Sequence, residues 1–186
     1  MKRFLKNLFL AIIAIIAIIA GAVYWQIHFA PTPATTPPVV APLAPLTGQI
    51  DHILIEKSAR RMTVFRAGEA LRSYDMFLGF EPVGDKFQEG DGKTPEGIFT
   101  VNRRNPKSAF HLSLGIDYPQ ASDRAQAAQA GVSPGGDIFI HGQPNDRFGM
   151  ATILWDWTAG CIAISNDAIE ELWRVTPVGT TVEIRP

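Results

Sequence analysis

Apolar positions along the chain fall into three regimes. Residues 8–25 form an unbroken run of 18 positions without a charge, mostly Ile and Ala. Residues 30–47 are uncharged and rich in proline. From about residue 48, short apolar stretches alternate with polar positions and are punctuated by Gly, Pro, Asn and Asp. Alternation over 51–56 (DHILIE) and 62–66 (MTVFR) predicts two strands of a hairpin joined across 57–61. Residues 70–80 predict a third strand, 98–103 a fourth and 111–114 a short one. Residues 138–141 and 160–164 read as two central strands, and 180–185 as the last. Residues 81–97 (EPVGDKFQEGDGKTPEG) are turn and loop. The spacing predicts a helix over 122–130, with Ser122 as N-cap and Gly131 as its stop. A second helix runs to Arg174 from a cap at Asn166 or Asp167. Six to eight short strands against two short helices make a mainly β domain. His52, inside the first strand, is expected to face solvent or fill a core gap.

The long apolar run changes the picture outside that domain. A helix of 18 residues covers about 27 Å, close to the thickness of a bilayer core. Lys2, Arg3 and Lys6 precede it, which keeps that end cytoplasmic and exports the rest. Tyr24 and Trp25 stand where an interfacial aromatic belt is expected. A cleaved signal peptide is the competing reading, since Ala20-Gly21-Ala22 resembles a small-x-small cleavage site. The length of the run favours an uncleaved anchor. Proline then makes the stretch 31–45 a semi-rigid spacer, its fifteen residues reaching roughly 45 Å at about 3.1 Å per residue. The expected organisation is an anchor or signal segment over 1–29, a linker over 30–47 and a folded domain over 48–186. Either reading places the domain outside the cytoplasm, at the periplasmic face of the inner membrane if the anchor stays.

Composition excludes several partners. A formal net charge of −1 argues against polyanion binding, and no basic run with interleaved aromatics suggests nucleic acid. One cysteine, Cys161, cannot form an internal disulfide. With four scattered histidines and no HExxH or CxxC, neither a metal nor another cofactor is expected.

The candidate chemistry lies between residues 138 and 166. His141 ends an apolar run and is followed by Gly142, while Thr158-Ala159-Gly160 leads into Cys161. A thiol is a weak nucleophile until a neighbouring base takes its proton, and imidazole is suited to that task. Attack on a carbonyl builds an oxyanion that backbone N–H groups must hold, and Gly160 permits the tight turn this needs. The imidazole needs an orienting partner on its second nitrogen: a backbone carbonyl by default, or Asp156. An unpaired thiol in an exported domain is usually avoided unless used. A buried structural cysteine and a structural strand-end histidine are the bland alternatives.

These residues resemble the signature of the YkuD-type L,D-transpeptidases. Sixteen residues separate His141 from Thr158, within the family's interval between its histidine and the Ser/Thr-x-Gly-Cys turn. Residues 94–99 (TPEGIF) are similar to the family's TPxGxF element, and 136–142 (GDIFIHG) to its strand into the histidine. The likeness covers about residues 50–185. It implies a β-sandwich or barrel-like fold, with Cys161 attacking the carbonyl that joins the L-centre of meso-diaminopimelate to a terminal D-Ala in peptidoglycan stem peptides. His141 would be the base, and the amides near Gly160 and Cys161 the oxyanion hole. Gly142, Thr158, Ala159, Trp157, Lys93 and Arg147 are candidates for substrate contact, with Trp155 beside them. The sequence departs from the family at Ala159, where histidine is usual, and at the small Ile162-Ala163 after the cysteine. A cysteine hydrolase of wall peptides and a non-catalytic wall-binding module are the rival readings.

Overall fold

The computed structural model describes residues 2–28, 44–147 and 149–186. It divides into two compact units, residues 1–43 and 44–186.

In the first unit a helix, α1 (Lys2–His28), forms where the apolar run predicts one. Its described Ile side chains are exposed, from 47% at Ile12 to 70% at Ile18. A membrane span is not supported: among the described residues no helix is long and apolar enough to cross a membrane. Most of the proline-rich stretch, residues 30–43, lies outside the described residues.

In the second unit eight strands, β1 (His52–Glu56), β2 (Arg61–Arg66), β3 (Glu69–Asp75), β4 (Gly97–Ser108), β5 (His111–Ile116), β6 (Phe139–His141), β7 (Ile162–Ala163) and β8 (Thr181–Arg185), are ordered β3-β2-β1-β8-β4-β5-β6-β7. The alternating stretches become β1 (His52–Glu56), β2 (Arg61–Arg66) and β8 (Thr181–Arg185). β1 pairs antiparallel with β2 and parallel with β8. Ile53, Ile55, Met62, Val64, Val182 and Ile184 line one face and are at most 2% exposed. Each such side chain removed from water contributes about 1.5–3 kcal/mol. His52 is half-buried, against Glu183 and the Phe65 ring.

β3 (Glu69–Asp75) is shorter than the 70–80 expected. After it the chain leaves β2, and Phe77 pairs instead with Ala163 in β7 (Ile162–Ala163). The chain beyond one end of the strand order thus bridges to the other end. β4 (Gly97–Ser108) is twice the expected length because it serves two neighbours. Its residues 97–100 pair with β8, and from Val101 it pairs with β5 (His111–Ile116). β6 (Phe139–His141) joins β5 to β7.

Both expected helices form, with different caps. α2 (Ala121–Gln129) begins after Gln120, whose N–H donates to the Asp123 carboxylate at 2.7 Å. Ser122 therefore sits inside the first turn and is not the cap. α3 (Asn166–Val175) is capped by Ser165, whose hydroxyl accepts from Ala168 N–H at 3.2 Å. Asn166 is unavailable for capping because its Oδ1 accepts from Gln143 N–H at 2.8 Å. α3 buries Ala168, Ile169, Leu172 and Val175, an apolar stripe at helical spacing.

Candidate active site

The register of two short strands brings the thiol and the imidazole together. β6 and β7 run parallel with Ile140 opposite Ile162 and His141 opposite Ala163. Ile140 and Ile162 are fully buried on the core side. Side chains alternate, so Phe139, His141 and the preceding Cys161 share the opposite face. There they line one cavity of about 250 Å³, together with Asn105, Ser108, Ala109, Phe110, Ser113 and Asp137.

His141 is only 2% exposed, and its Nδ1 lies 2.7 Å from the Gly142 carbonyl. A carbonyl can only accept, so Nδ1 carries the proton and Nε2 keeps its lone pair. The backbone carbonyl is thus the orienting partner. Asp156 is engaged elsewhere, accepting from Leu78 N–H at 2.8 Å and pairing with Arg60 at 2.6 Å. The imidazole is packed between Phe110 (ring centroids 4.6 Å apart) and the edge of Trp157 (5.7 Å, 71°). Burial lowers its pKa from 6.5 to about 4, opposed by the Gly142 hydrogen bond.

Cys161 is partly buried. Its Sγ–H donates to the Asp137 carbonyl at 3.4 Å. Burial raises its pKa; the Phe139 backbone N–H, Lys86 and Arg103 pull it down, and Asp137 adds to the rise. With the thiol high and the imidazole low, the neutral pair is the resting state.

Two glycine-lined loops hold the cysteine turn. Gly160 has φ +135°, and a Cβ there would lie 2.6 Å from the Lys93 carbonyl oxygen. A Cβ on Gly79 would lie 2.0 Å from Gly92 O and 3.1 Å from Gly160 Cα. Three backbones therefore meet where no side chain fits. The buried Thr158 donates to Cys161 O at 2.7 Å and accepts from Gly160 N–H at 3.2 Å. Of the two amides expected to form the oxyanion hole, that of Gly160 is thus engaged at rest. Behind the turn, Thr94 of the TPEGIF stretch accepts from Gly79 N–H at 3.2 Å. Lys57, 2% exposed, donates to Gly84 O, Thr94 O and Glu96 Oε1 at 2.6–3.0 Å. TPEGIF is a buttress for the cysteine turn.

The expected substrate-contact residues have separate locations. Trp157 packs on His141 and Phe110. Gly142 is buried under Asn166, which a Cβ would approach to 2.6 Å. Ala159 is exposed and opens onto a second, polar cavity lined by Lys86, Glu89, Ser133, Gly135, Gly136 and Asp137. The Lys93 ammonium lies beside Gly84, and neither it nor Arg147 lines the cavity with the thiol. Trp155 is 62% exposed. Among the described residues, no group of three or more His, Cys, Asp or Glu could hold a metal.

Sequence reasoning missed the β4–β5 hairpin residues Asn105, Ser108, Phe110 and Ser113, and the strand-leading Asp137. It also missed Gln143, 5% exposed, which donates to Ile164 O at 2.7 Å and accepts from Ile153 N–H at 2.9 Å. A polar residue directly after His-Gly was the available signal.

The low pKa of His141 sets a stability trend. The unfolded histidine binds a proton near pH 6.5, whereas the folded one resists until about pH 4. Folding stability therefore falls as pH drops through this window, by up to about 3 kcal/mol. Urea midpoints at pH 7.5 and 4.5 test this: the drop is expected to shrink in His141→Asn, which keeps a donor for Gly142 O and cannot titrate.

Comparison with known proteins agrees with this geometry. The model of the L,D-transpeptidase catalytic domain (YkuD) matches residues 50–184. YafK of Escherichia coli (strain K12), which carries the family's name, is 30% identical over 135 residues, 69% of this chain and 48% of its own. The crystal structure of the helical cell shape determining protein Pgp2 from Campylobacter jejuni superposes with TM-score 0.59 at 27% identity, covering 74% of this chain and 48% of Pgp2. Bd1075 of Bdellovibrio bacteriovorus gives 0.54 at 26% identity, with coverage of 74% and 48%. The chain thus spans about half the length of each of these relatives. It belongs to the L,D-transpeptidase catalytic-domain family, YkuD.

Proposed function

We propose that the chain is a peptidoglycan L,D-transpeptidase with Cys161 as nucleophile and His141 as base. The observation that carries this reading is the shared cavity, whose wall holds both the thiol and an imidazole whose Nδ1–H is committed to Gly142 O. On substrate entry the thiol leaves the Asp137 carbonyl and turns to Nε2. Sulfur attacks the carbonyl between the L-centre of the stem's third residue and its terminal D-Ala as the thiol proton passes to Nε2. The carbonyl electron pair moves onto oxygen, and the Cys161 N–H is the donor this reading relies on to hold it. On collapse the C–N bond breaks, Nε2–H protonates the departing D-Ala nitrogen, and a thioester remains. An amine on a second stem then attacks, His141 takes its proton, and the C–S bond breaks to restore the thiol.

The likeness to Pgp2 supports a role in the wall and in cell shape. The basic flank and uncharged run at 8–25 support anchoring to the inner membrane, with the domain on its periplasmic face.

Incubating the full chain, held in mild detergent, with soluble tetrapeptide-bearing wall fragments tests the reading. Cross-linked dimers with stoichiometric D-Ala are the expected products. D-Ala without dimers would assign water as the acceptor, and unchanged fragments with folded protein would refute an enzyme.

A further inference from the structure

We propose that Arg103 is a specificity-determining residue that receives the terminal carboxylate of the donor stem. The assignment rests on the transpeptidase reading and adds a carboxylate anchor to it.

Arg103 stands on β4, across from Gly115 of β5. Its guanidinium carbon lies 4.5 Å from the centre of the Phe139 ring, and its Nη2 reaches Asp137 Oδ1 at 2.6 Å. Phe139 and Asp137 both line the cavity that holds Cys161 and His141. The side chain can lie flat because Gly115 is opposite: a Cβ there would come within 2.7 Å of Arg103 Cγ and 2.9 Å of its Nε. Glycine and aromatic ring therefore form a slot that holds a planar cation against two residues of the cavity wall, although Arg103 does not itself line the cavity.

At rest the cation has only a weak hold. The Asp137 side chain is 87% exposed and that of Arg103 43%. Exposed ion pairs of this kind exchange partners readily. Asp137 sits at φ +56°, so its backbone turns its carbonyl to the thiol while its carboxylate reaches out to the guanidinium. The departing residue of the proposed reaction carries a free carboxylate two bonds from the scissile nitrogen. Such a group can pair with both nitrogens of one guanidinium, a geometry lysine cannot offer. The small Ile162-Ala163 after the cysteine places no cation on β7 to compete for it.

The test compares D-Ala release from a tetrapeptide stem ending in a free carboxylate with release from the same stem ending in an amide. The unaltered chain is expected to prefer the carboxylate by about 30-fold in kcat/KM, the range of one charge-assisted contact. Arg103→Met is expected to raise KM for the carboxylate stem by about tenfold or more and to narrow the preference to within about threefold. Arg103→Lys should keep an intermediate preference. Asp137→Asn, which tolerates the positive φ, should lower KM for the carboxylate stem up to about fivefold by releasing the guanidinium. An undiminished preference in folded Arg103→Met, or a KM rise in Asp137→Asn matching that of Arg103→Met, would overturn the assignment while leaving the transpeptidase reading intact. Absence of turnover in the unaltered chain would end both.

Discussion

Alanine in place of Cys161 is expected to remove D-Ala release, with a fall in kcat on the order of 10⁴-fold or more. His141→Asn should lose about 10²–10⁴-fold, the usual share of a positioned base. The two effects should not add, because a base without a nucleophile has nothing to deprotonate. A double variant should be no worse than Cys161→Ala alone. Asparagine is chosen because its amide can still donate to Gly142 O, so the loop keeps its bond and only the Nε2 lone pair is lost. Steady-state D-Ala release checks both values, and circular dichroism checks folding. The pH profile carries further information. His141 must be neutral to act, so activity should rise through about pH 4 and then level off, since burial keeps the thiol protonated through neutrality. A papain-like profile, in which a thiolate–imidazolium pair forms in the free enzyme, is not expected.

Gly160→Ala is expected to be the most damaging change outside the reacting pair. At φ +135° a non-glycine residue costs about 1–3 kcal/mol from backbone strain alone. The new methyl would also sit 2.6 Å from Lys93 O and 3.2 Å from Ile138 Cδ1. Lys93 O is backbone, anchored through the loop whose Thr94 binds Gly79, so it has little room to move. The turn must shift instead, carrying the thiol with it, and a displacement near 1 Å can cost about 10²-fold in rate. Activity should therefore fall by about that factor, with a lower urea midpoint. Gly131→Ala separates the two causes. Its φ is +70° with nothing within 4 Å, so it should show only a stability loss of about 1 kcal/mol and no change in kcat.

What could be read in advance follows the range of the interactions. Alternation in DHILIE and MTVFR reports burial on one face and needs no knowledge of the partner strand, so β1 and β2 were legible. That His141 and Cys161 line one cavity was legible because their chemistry is rare in this composition and each abuts a glycine. The end of β3 was not legible, because residues 76–80 remain extended and apolar while changing partner from β2 to the cysteine turn. The cap of α3 moved to Ser165 because Asn166 was drawn away by Gln143, a contact 23 residues distant in sequence. Lys93 was expected near the substrate for its charge. The structure uses its carbonyl against Gly160 and turns its ammonium to Gly84. The hairpin residues Asn105, Ser108 and Phe110 reach the cavity through the β4–β5 and β5–β6 registers, which no local pattern encodes.

Mass spectrometry of the full chain after exposure to a carbapenem bears most directly on the pairing of sulfur and imidazole. A β-lactam ring offers a strained carbonyl, so a nucleophilic thiol next to a base opens it and stays acylated. One carbapenem mass on the peptide containing Cys161, lost in Cys161→Ala and strongly slowed in His141→Asn, is the predicted result. A folded chain that acquires no adduct, or one that is labelled equally fast without His141, would contradict the account.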